Sequence, residues 1–297
     1  MAESTSPTVE ADVPKVVGPT IPRWQLGEEL TRLRRAANLT EADVADKLGC
    51  SESKIKKVEA GYVGTNRAEL LVMLDMYGVT DEAARNDMIE LQKRGKERGW
   101  WSKFGMVPQQ FATFLSLESS ATSIRVFEPL MVHGLLQTED YTRAIVSTHL
   151  PNAPVEEVER QVQIRRARQE RLFADPPQTW IILDEAVLHR RVGGTDVMRA
   201  QLTHILDTVK DAPWLTLQVV PYSHGSYPGE LGAFTIFDFE EDIHSPVVYV
   251  EGQAGGLYLE RDADLRRCNL AYNHITAAAL SPPESAKLIT ALTRATG

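Results

Sequence analysis

The 297-residue sequence predicts an α+β multidomain protein. Its N-terminal all-α domain has five helices, and its C-terminal α+β domain has a small, mostly antiparallel sheet with flanking helices. Three observations carry that expectation. Residues 24–98 place apolar side chains at helical 4-3-4 spacing between closely spaced caps. Strand-like runs begin only after Pro176-Pro177. At roughly 100–200 residues per domain, the length suits two domains with real cores. Charge divides in the same way: residues 23–103 are near neutral (15 basic, 14 acidic), whereas 104–297 hold 16 basic and 24 acidic residues of a chain whose net charge is −9. A wholly basic nucleic-acid coat and a polybasic membrane binder are thereby excluded, while a local basic face is not.

Residues 1–22, rich in Ser, Thr, Pro and acids, lack the basic start and apolar core of a signal peptide and are expected to form a disordered tail. The first helix is expected over Gln25–Ala37, with Leu26, Leu30, Leu33 and Ala37 on one stripe. Thr40, with Asp43 three residues on, caps a second helix that buries Val44, Ala45 and Leu48 and stops at Gly49. A third opens near Ser51, turns Ile55 and Val58 inward and ends at Gly61. The fourth and fifth cover about Asn66–Tyr77 and Asp81–Arg98.

From residue 99 the pattern changes. Helices are expected over about Pro108–Ser119, Thr138–His149, Val155–Phe173, Thr195–Lys210, Ala263–Ala279 and Pro283–Thr293. Strands are expected at Trp180–Leu183, Leu215–Val220, Phe234–Phe239, Val247–Val250 and Leu257–Leu259. Loop-only connections after residue 214 make the later strands antiparallel neighbours. Arg125–Leu136 reads only as an apolar stretch. The arginines of 155–173 (Arg160, Arg165, Arg166, Arg168 and Arg171), interleaved with Glu156, Glu157, Glu159 and Glu170, read as a solvated face with i,i+4 pairs such as Glu156/Arg160; a second DNA or protein contact is the minor alternative.

The most informative segment is Leu39–Gly61, LTEADVADKLGCSESKIKKVEAG. Two short helices meet at a Gly-containing turn, small Ala45 permits close approach, and Ile55 with Val58 anchor the second helix to the first. That anchoring points Glu52, Ser53, Lys54, Lys56 and Lys57 outward on a helix that fits a major groove about 12 Å wide. Thr40 and Ser51 sit at helix N-termini, where backbone N–H groups attract phosphate. A helical module that only packs, its lysines a solvated face, is the competing reading.

With its LxxLR…LTxxxxAxxLGxSxSxIxxxExG pattern, the stretch 26–78 resembles the XRE-type, lambda-repressor-like helix-turn-helix regulators. The resemblance implies an ion pair between Arg34 and Glu59, base contacts from Glu52, Ser53 and Lys57, and phosphate contacts from Thr40, Ser51, Lys54, Lys56 and Arg67. Two residues depart from it: Glu41 and Glu52 are acidic where Gln, or Gln and Arg, are usual. A carboxylate at 41 repels DNA unless a neighbour such as Lys57 offsets it, whereas one at 52 can accept from cytosine N4.

The C-terminal phrases RGWW (98–101), EPL (128–130), GLLQTEDY (134–141), LDEA (183–186), VMRAQL (197–202) and GGLYLE (255–260) extend the resemblance to actinobacterial WhiJ-like regulators, which join such a module to a C-terminal domain of unknown function. His133 stands where Pro usually precedes GLLQT, which leaves that turn open. The resemblance implies a cytoplasmic transcription regulator with domains at 23–98 and 99–297. The second would sense a small-molecule effector or dock a small protein encoded nearby. From the residues, GLLQTEDY reads as a turn, two core leucines and a Thr138 helix cap, although a ligand role is the alternative. Tyr249, Glu251, Gly255, Gly256 and Tyr258 form a candidate ligand pocket, with an ordinary hairpin turn as the competing reading of the glycines.

An enzyme is not expected. The seven histidines show no metal-spaced pair; Asp184, Glu185 and His189 make a weak trio; and phosphate loop, dinucleotide fingerprint and nucleophile elbow are missing. No cofactor and no metal are expected, and two cysteines make no disulfide framework. No apolar run reaches the ~18 residues of a membrane span. Double-stranded DNA is the expected partner, bound by a homodimer, since such modules pair on half-sites about 34–36 Å apart. The rival reading is a protein-interaction module whose helix-turn-helix is vestigial.

Overall fold

The structure, a computed structural model, describes residues 18–240, 244–253 and 255–296. Five helices form the N-terminal helical region: α1 (Thr20–Ala36), α2 (Glu41–Leu48), α3 (Glu52–Glu59), α4 (Arg67–Met76) and α5 (Glu82–Arg94). Their core is Leu26, Leu30, Val44, Ala45, Ile55, Val58, Leu70, Met73, Leu74, Tyr77, Met88 and Ile89; of the expected stripe residues Leu33, Leu48 and Leu71 pack against it only partly buried, and Met73, Met88 and Ile89 join it from outside the expected set. Thr40 and Asp43 close a reciprocal capping box on α2, and Asn66 and Glu69 close another on α4. Gly49 ends α2 in the left-handed conformation (φ 61°) that the turn into α3 requires.

The chain continues through a 3-10 turn at Trp100–Phe104 into α6 (Gln109–Ser120) and a six-stranded mixed sheet with twelve helices in all among the described residues. In chain order the remaining elements are β1 (Ser123–Glu128), α7 (Glu139–His149), α8 (Val155–Ala174), β2 (Gln178–Asp184), α9 (Ala186–His189), α10 (Thr195–Asp211), β3 (Leu215–Val220), β4 (Phe234–Asp238), β5 (Val247–Gly252), β6 (Gly255–Leu259), α11 (Asp262–Ala278) and α12 (Pro282–Ala295). The strand order is β3-β2-β1-β4-β5-β6. β1, β2 and β3 are parallel and joined by helical crossovers; β4, β5 and β6 extend the other side of β1 as an antiparallel meander. β3 therefore lies at one edge, with β2 and β1 between it and β4, although only a loop with two short 3-10 turns joins them in sequence. The expectation that loop-connected strands are neighbours fails at this one link, because β1 occupies the place beside β4. Alternate residues of the sheet enter two cores, one shared with α6, α10 and α12 and the other covered by Leu265, Tyr272 and Ile275 of α11.

α1 begins five residues before the expected Gln25, so the last residues assigned to the tail, 18–22, are ordered. Residues 1–17 lie outside the described residues. The early start follows from tertiary contacts: the Gly18 N–H donates to Ser120 Oγ (3.0 Å) and the Thr20 N–H to Ser116 Oγ (2.9 Å). Ile21 and Trp24 are buried in the core that holds Leu115, Leu117 and Phe114 of α6. The first turn of α1 thus belongs to the core of the α+β region, and the two regions dock through it.

Candidate nucleic-acid interface and charged cavity

Pinning of α3 starts from its buried side. Ile55 and Val58 face α1 and α2, and Arg34, only 4% exposed, reaches across beneath the helix. Its Nε and Nη2 donate to the two Glu59 carboxylate oxygens at 2.6 and 2.8 Å, Nη1 donates to the Leu39 carbonyl at 2.8 Å, and Nη2 also donates to Glu41 Oε1 at 2.8 Å. The hydrogen bond to Glu59 foremost raises the Arg34 pKa despite burial. Glu41 is thus matched by Arg34 rather than by Lys57, and one arginine ties α1, the start of α2 and the end of α3.

The opposite side of α3 is solvent-exposed in the intact chain at Glu52, Ser53, Lys56 and Lys57. Lys56 Nζ pairs with Glu52 Oε1 at 2.5 Å one turn earlier. Lys54 does not point outward as expected. It is half-buried, and its Nζ lies 2.6 Å from Glu69 Oε1, where Thr65 Oγ1 also donates to Glu69 at 3.0 Å, so it joins α3 to the start of α4. The Ser51 hydroxyl caps α3 by accepting from the Lys54 N–H (3.3 Å), and Thr40 is engaged in its capping box. Arg67 is exposed at the first position of α4.

In the α+β region a small cavity of about 90 Å³ opens at the C-terminal end of β1, where the parallel half of the sheet meets the antiparallel half. Phe111, Phe114, Phe234 and Tyr249 give it aromatic walls; Glu128, His133, Arg165, Arg168 and Glu251 bring charge and polarity. Of the five residues expected to form a pocket, Tyr249 and Glu251 line this cavity. Gly255, Gly256 and Tyr258 do not. Gly256 is small because a Cβ there would run into the Tyr249 ring, and its N–H donates to Gln110 Oε1 (3.2 Å), while the Tyr258 hydroxyl donates to the Gln110 carbonyl (2.5 Å). Gly256 and Tyr258 thus fasten the β5–β6 hairpin to α6, and Gly255 leaves room for the Gln110 side chain.

The arginine-rich α8 is not simply a solvated face. Arg168 forms a buried bidentate pair with Glu118 of α6 (2.7 and 2.6 Å) and lies over the Phe114 ring at 4.9 Å. Arg165 Nη1 donates to the Gln137 side-chain oxygen at 2.5 Å. Burial, then the neighbouring Arg168, lowers the Arg165 pKa to about 10. Burial, reinforced by Glu251, pushes the Glu128 carboxyl up to about 8. His133 is held well below the usual imidazole range by burial and by the two arginines; its Nδ1 accepts from the Leu135 N–H, the contact that shapes the turn into GLLQT. Arg160 pairs with Glu157, not with Glu156. The signal for the inward arginines was present in the sequence: Val158, Val162, Arg165 and Leu172 share one helical stripe.

GLLQTEDY is a scaffold for this wall. Leu135 and Leu136 are buried, Thr138 caps α7, and Gln137 bridges the Val132 carbonyl (2.6 Å), Thr142 and Arg165. Asp184, Glu185 and His189 do not form a common site. Asp184 caps the Ala186 N–H and accepts from the Tyr227 hydroxyl, whereas Glu185 binds His189 (3.0 Å) and the Tyr222 N–H (2.7 Å). No described helix is long and apolar enough to cross a membrane.

Comparison with known families gives two separate matches along the chain. Residues 25–87 match a family model described as a helix-turn-helix domain, and residues 111–291 match that of a domain of unknown function, DUF5753. No curated protein and no solved structure matches the chain. As the second match spans more than half of its length, the chain belongs to the DUF5753 family, with a helix-turn-helix domain preceding it.

Proposed function

We propose that this is a cytoplasmic, sequence-specific transcriptional regulator of the WhiJ-like, lambda-repressor type, acting as a homodimer on double-stranded DNA. In this reading residues 23–98 are the DNA-binding domain and 99–297 the sensing or docking domain. The supporting observation is the outward face of α3, exposed in the complete chain while Arg34 and Glu59 brace it from behind. Glu52, Ser53 and Lys57 read base edges; Ser51, Thr40, Lys56 and Arg67 contact phosphates. Lys54 reaches phosphate only by leaving Glu69, so its main part is to hold α3 on α4. The charged cavity takes the effector, a small molecule with an acidic group on an apolar frame: Arg165, whose hydrogen bond goes to a neutral amide, receives the acid, and the aromatic walls receive the rest.

A second reading has its own observation. Of the three lysines of α3, Lys54 and Lys56 are already paired with carboxylates, which favours a protein-interaction module with a vestigial DNA face. Selection of bound duplexes from a random pool by the purified full-length protein, with a salt titration, decides between them. Enrichment of a two-half-site motif with binding that falls steeply with salt is expected. Recovery of no preferred duplex even at low ionic strength would overturn the DNA reading in favour of the second.

A further inference from the structure

The seam between the helical region and the sheet collects three potential metal ligands from distant parts of the sequence. Glu28 stands on α1, His244 precedes β5, and Glu260 follows β6. One ligand atom from each lies within 4.8 Å of the other two. The glutamates are exposed, but the His244 side chain is only 4% exposed and packs between the rings of Trp24 (5.4 Å) and Phe239 (5.8 Å).

The imidazole is oriented in the manner of a metal ligand. Its Nδ1 is 2.7 Å from the Ser245 carbonyl, the geometry of a donated N–H, which leaves Nε2 with a bare lone pair. Nε2 is buried and makes no hydrogen bond. The nearest carboxylate oxygen, Glu260 Oε2, is 4.0 Å away, beyond hydrogen-bond reach, and is itself an acceptor. A buried acceptor turned toward two carboxylates is unfavourable unless something positive lies among them. A proton on Nε2 would still be too far from Glu260 for a hydrogen bond and would leave Glu28 unmatched. A cation serves all three, after a small closing movement within the rotamer freedom of two exposed glutamates.

We propose that Glu28, His244 and Glu260 bind a divalent transition metal of borderline character, zinc being the type, as a clip between the helical region and the sheet. One imidazole nitrogen and two carboxylates suit zinc better than calcium or magnesium, which favour all-oxygen shells. Because one ligand comes from α1 and two come from the sheet side, metal binding and docking of the regions are linked. The site stands apart from both the α3 face and the cavity and does not rest on their proposed roles.

The test uses the full-length protein, stripped by chelator and titrated with zinc ion alone by calorimetry. Wild type should bind one equivalent, and zinc should raise its unfolding temperature. His244→Gln, near in size, should lose both effects. Glu28→Gln and Glu260→Gln should bind more weakly by about tenfold or more, a loss seen even for residues that only support a metal ligand. Circular dichroism checks that each variant folds; should His244→Gln not fold, the two exposed-glutamate variants decide. Absence of saturable binding to wild type, or equal zinc affinity in wild type and the Glu28 variant, would overturn the proposal.

Discussion

Arg34 and Arg165 are both inward-turned arginines on helices, and they differ in how far their donors are satisfied. Arg34 distributes its hydrogen bonds over Glu59, Glu41 and the Leu39 carbonyl, and its pKa is raised. Arg165 makes one side-chain hydrogen bond, to an uncharged amide, and burial lowers its pKa to about 10. The first is a closed joint, and the second faces open space in the cavity. A fully satisfied buried charge fixes geometry, whereas an incompletely satisfied one at a cavity wall retains interaction energy for a ligand.

The largest effect expected from breaking this contrast is on the closed side. Glu59→Ala leaves the buried Arg34 guanidinium with only Glu41 and the Leu39 carbonyl and should cost about 3 kcal/mol in chemical denaturation, whereas replacing both residues with apolar ones of similar size should cost far less. If the single variant unfolds like wild type, Arg34 is not the joint described. On the open side, pH reports the unmatched charge of Glu128. Its native pKa of about 8 lies above the ordinary 4.5, so between those values the folded protein keeps a proton that the unfolded chain releases. Stability should therefore fall as pH rises across that window, by at most about 1.4 kcal/mol per pH unit, and Glu128→Gln should flatten the slope. An unchanged pH profile in the variant would place Glu128 in a more solvated setting.

Smaller changes separate the closed joint from purely local structure. Thr40→Ala removes half of the α2 capping box and should cost about 1 kcal/mol by thermal unfolding, leaving the Arg34 bonds intact. Smallest in stability, within about 0.5 kcal/mol, is Lys57→Ala, because the side chain is exposed. Its readout is DNA: base preference should relax and affinity should drop, whereas Lys54→Ala should loosen α3 against α4 with less effect on preference. Equal changes in preference for the two lysines would cancel the distinction drawn between them.

The helical region was largely legible from sequence because its information is local. Caps at Thr40 and Asn66, the Gly49 turn and the apolar stripes lie within a few residues of what they control. The helix-turn-helix and the outward set Glu52, Ser53, Lys56 and Lys57 follow from that spacing. Lys54 does not, since its partner Glu69 is 15 residues on and is brought near by the α3–α4 packing. β1 was missed for a related reason. Its short Ile124-Arg125-Val126 alternation merges into an apolar stretch, and its strand character is realised between β2 and β4, which begin 55 and 111 residues later. Of the candidate pocket residues, Tyr249 and Glu251 line the cavity, while Gly255 and Gly256 lie close against Gln110 and the Tyr249 ring.

By itself, the sequence determined the two-part organisation, the helix-turn-helix and the α+β character of the second part, since these rest on periodicity and caps read over short windows. Only the tertiary structure decided which partners the inward arginines of α8 meet, where β1 enters the sheet, how α1 joins the two regions, and that Glu28, His244 and Glu260 meet. Those features depend on contacts between residues far apart along the chain, and no spacing pattern encodes which distant partner will supply the missing hydrogen bond, charge or apolar surface.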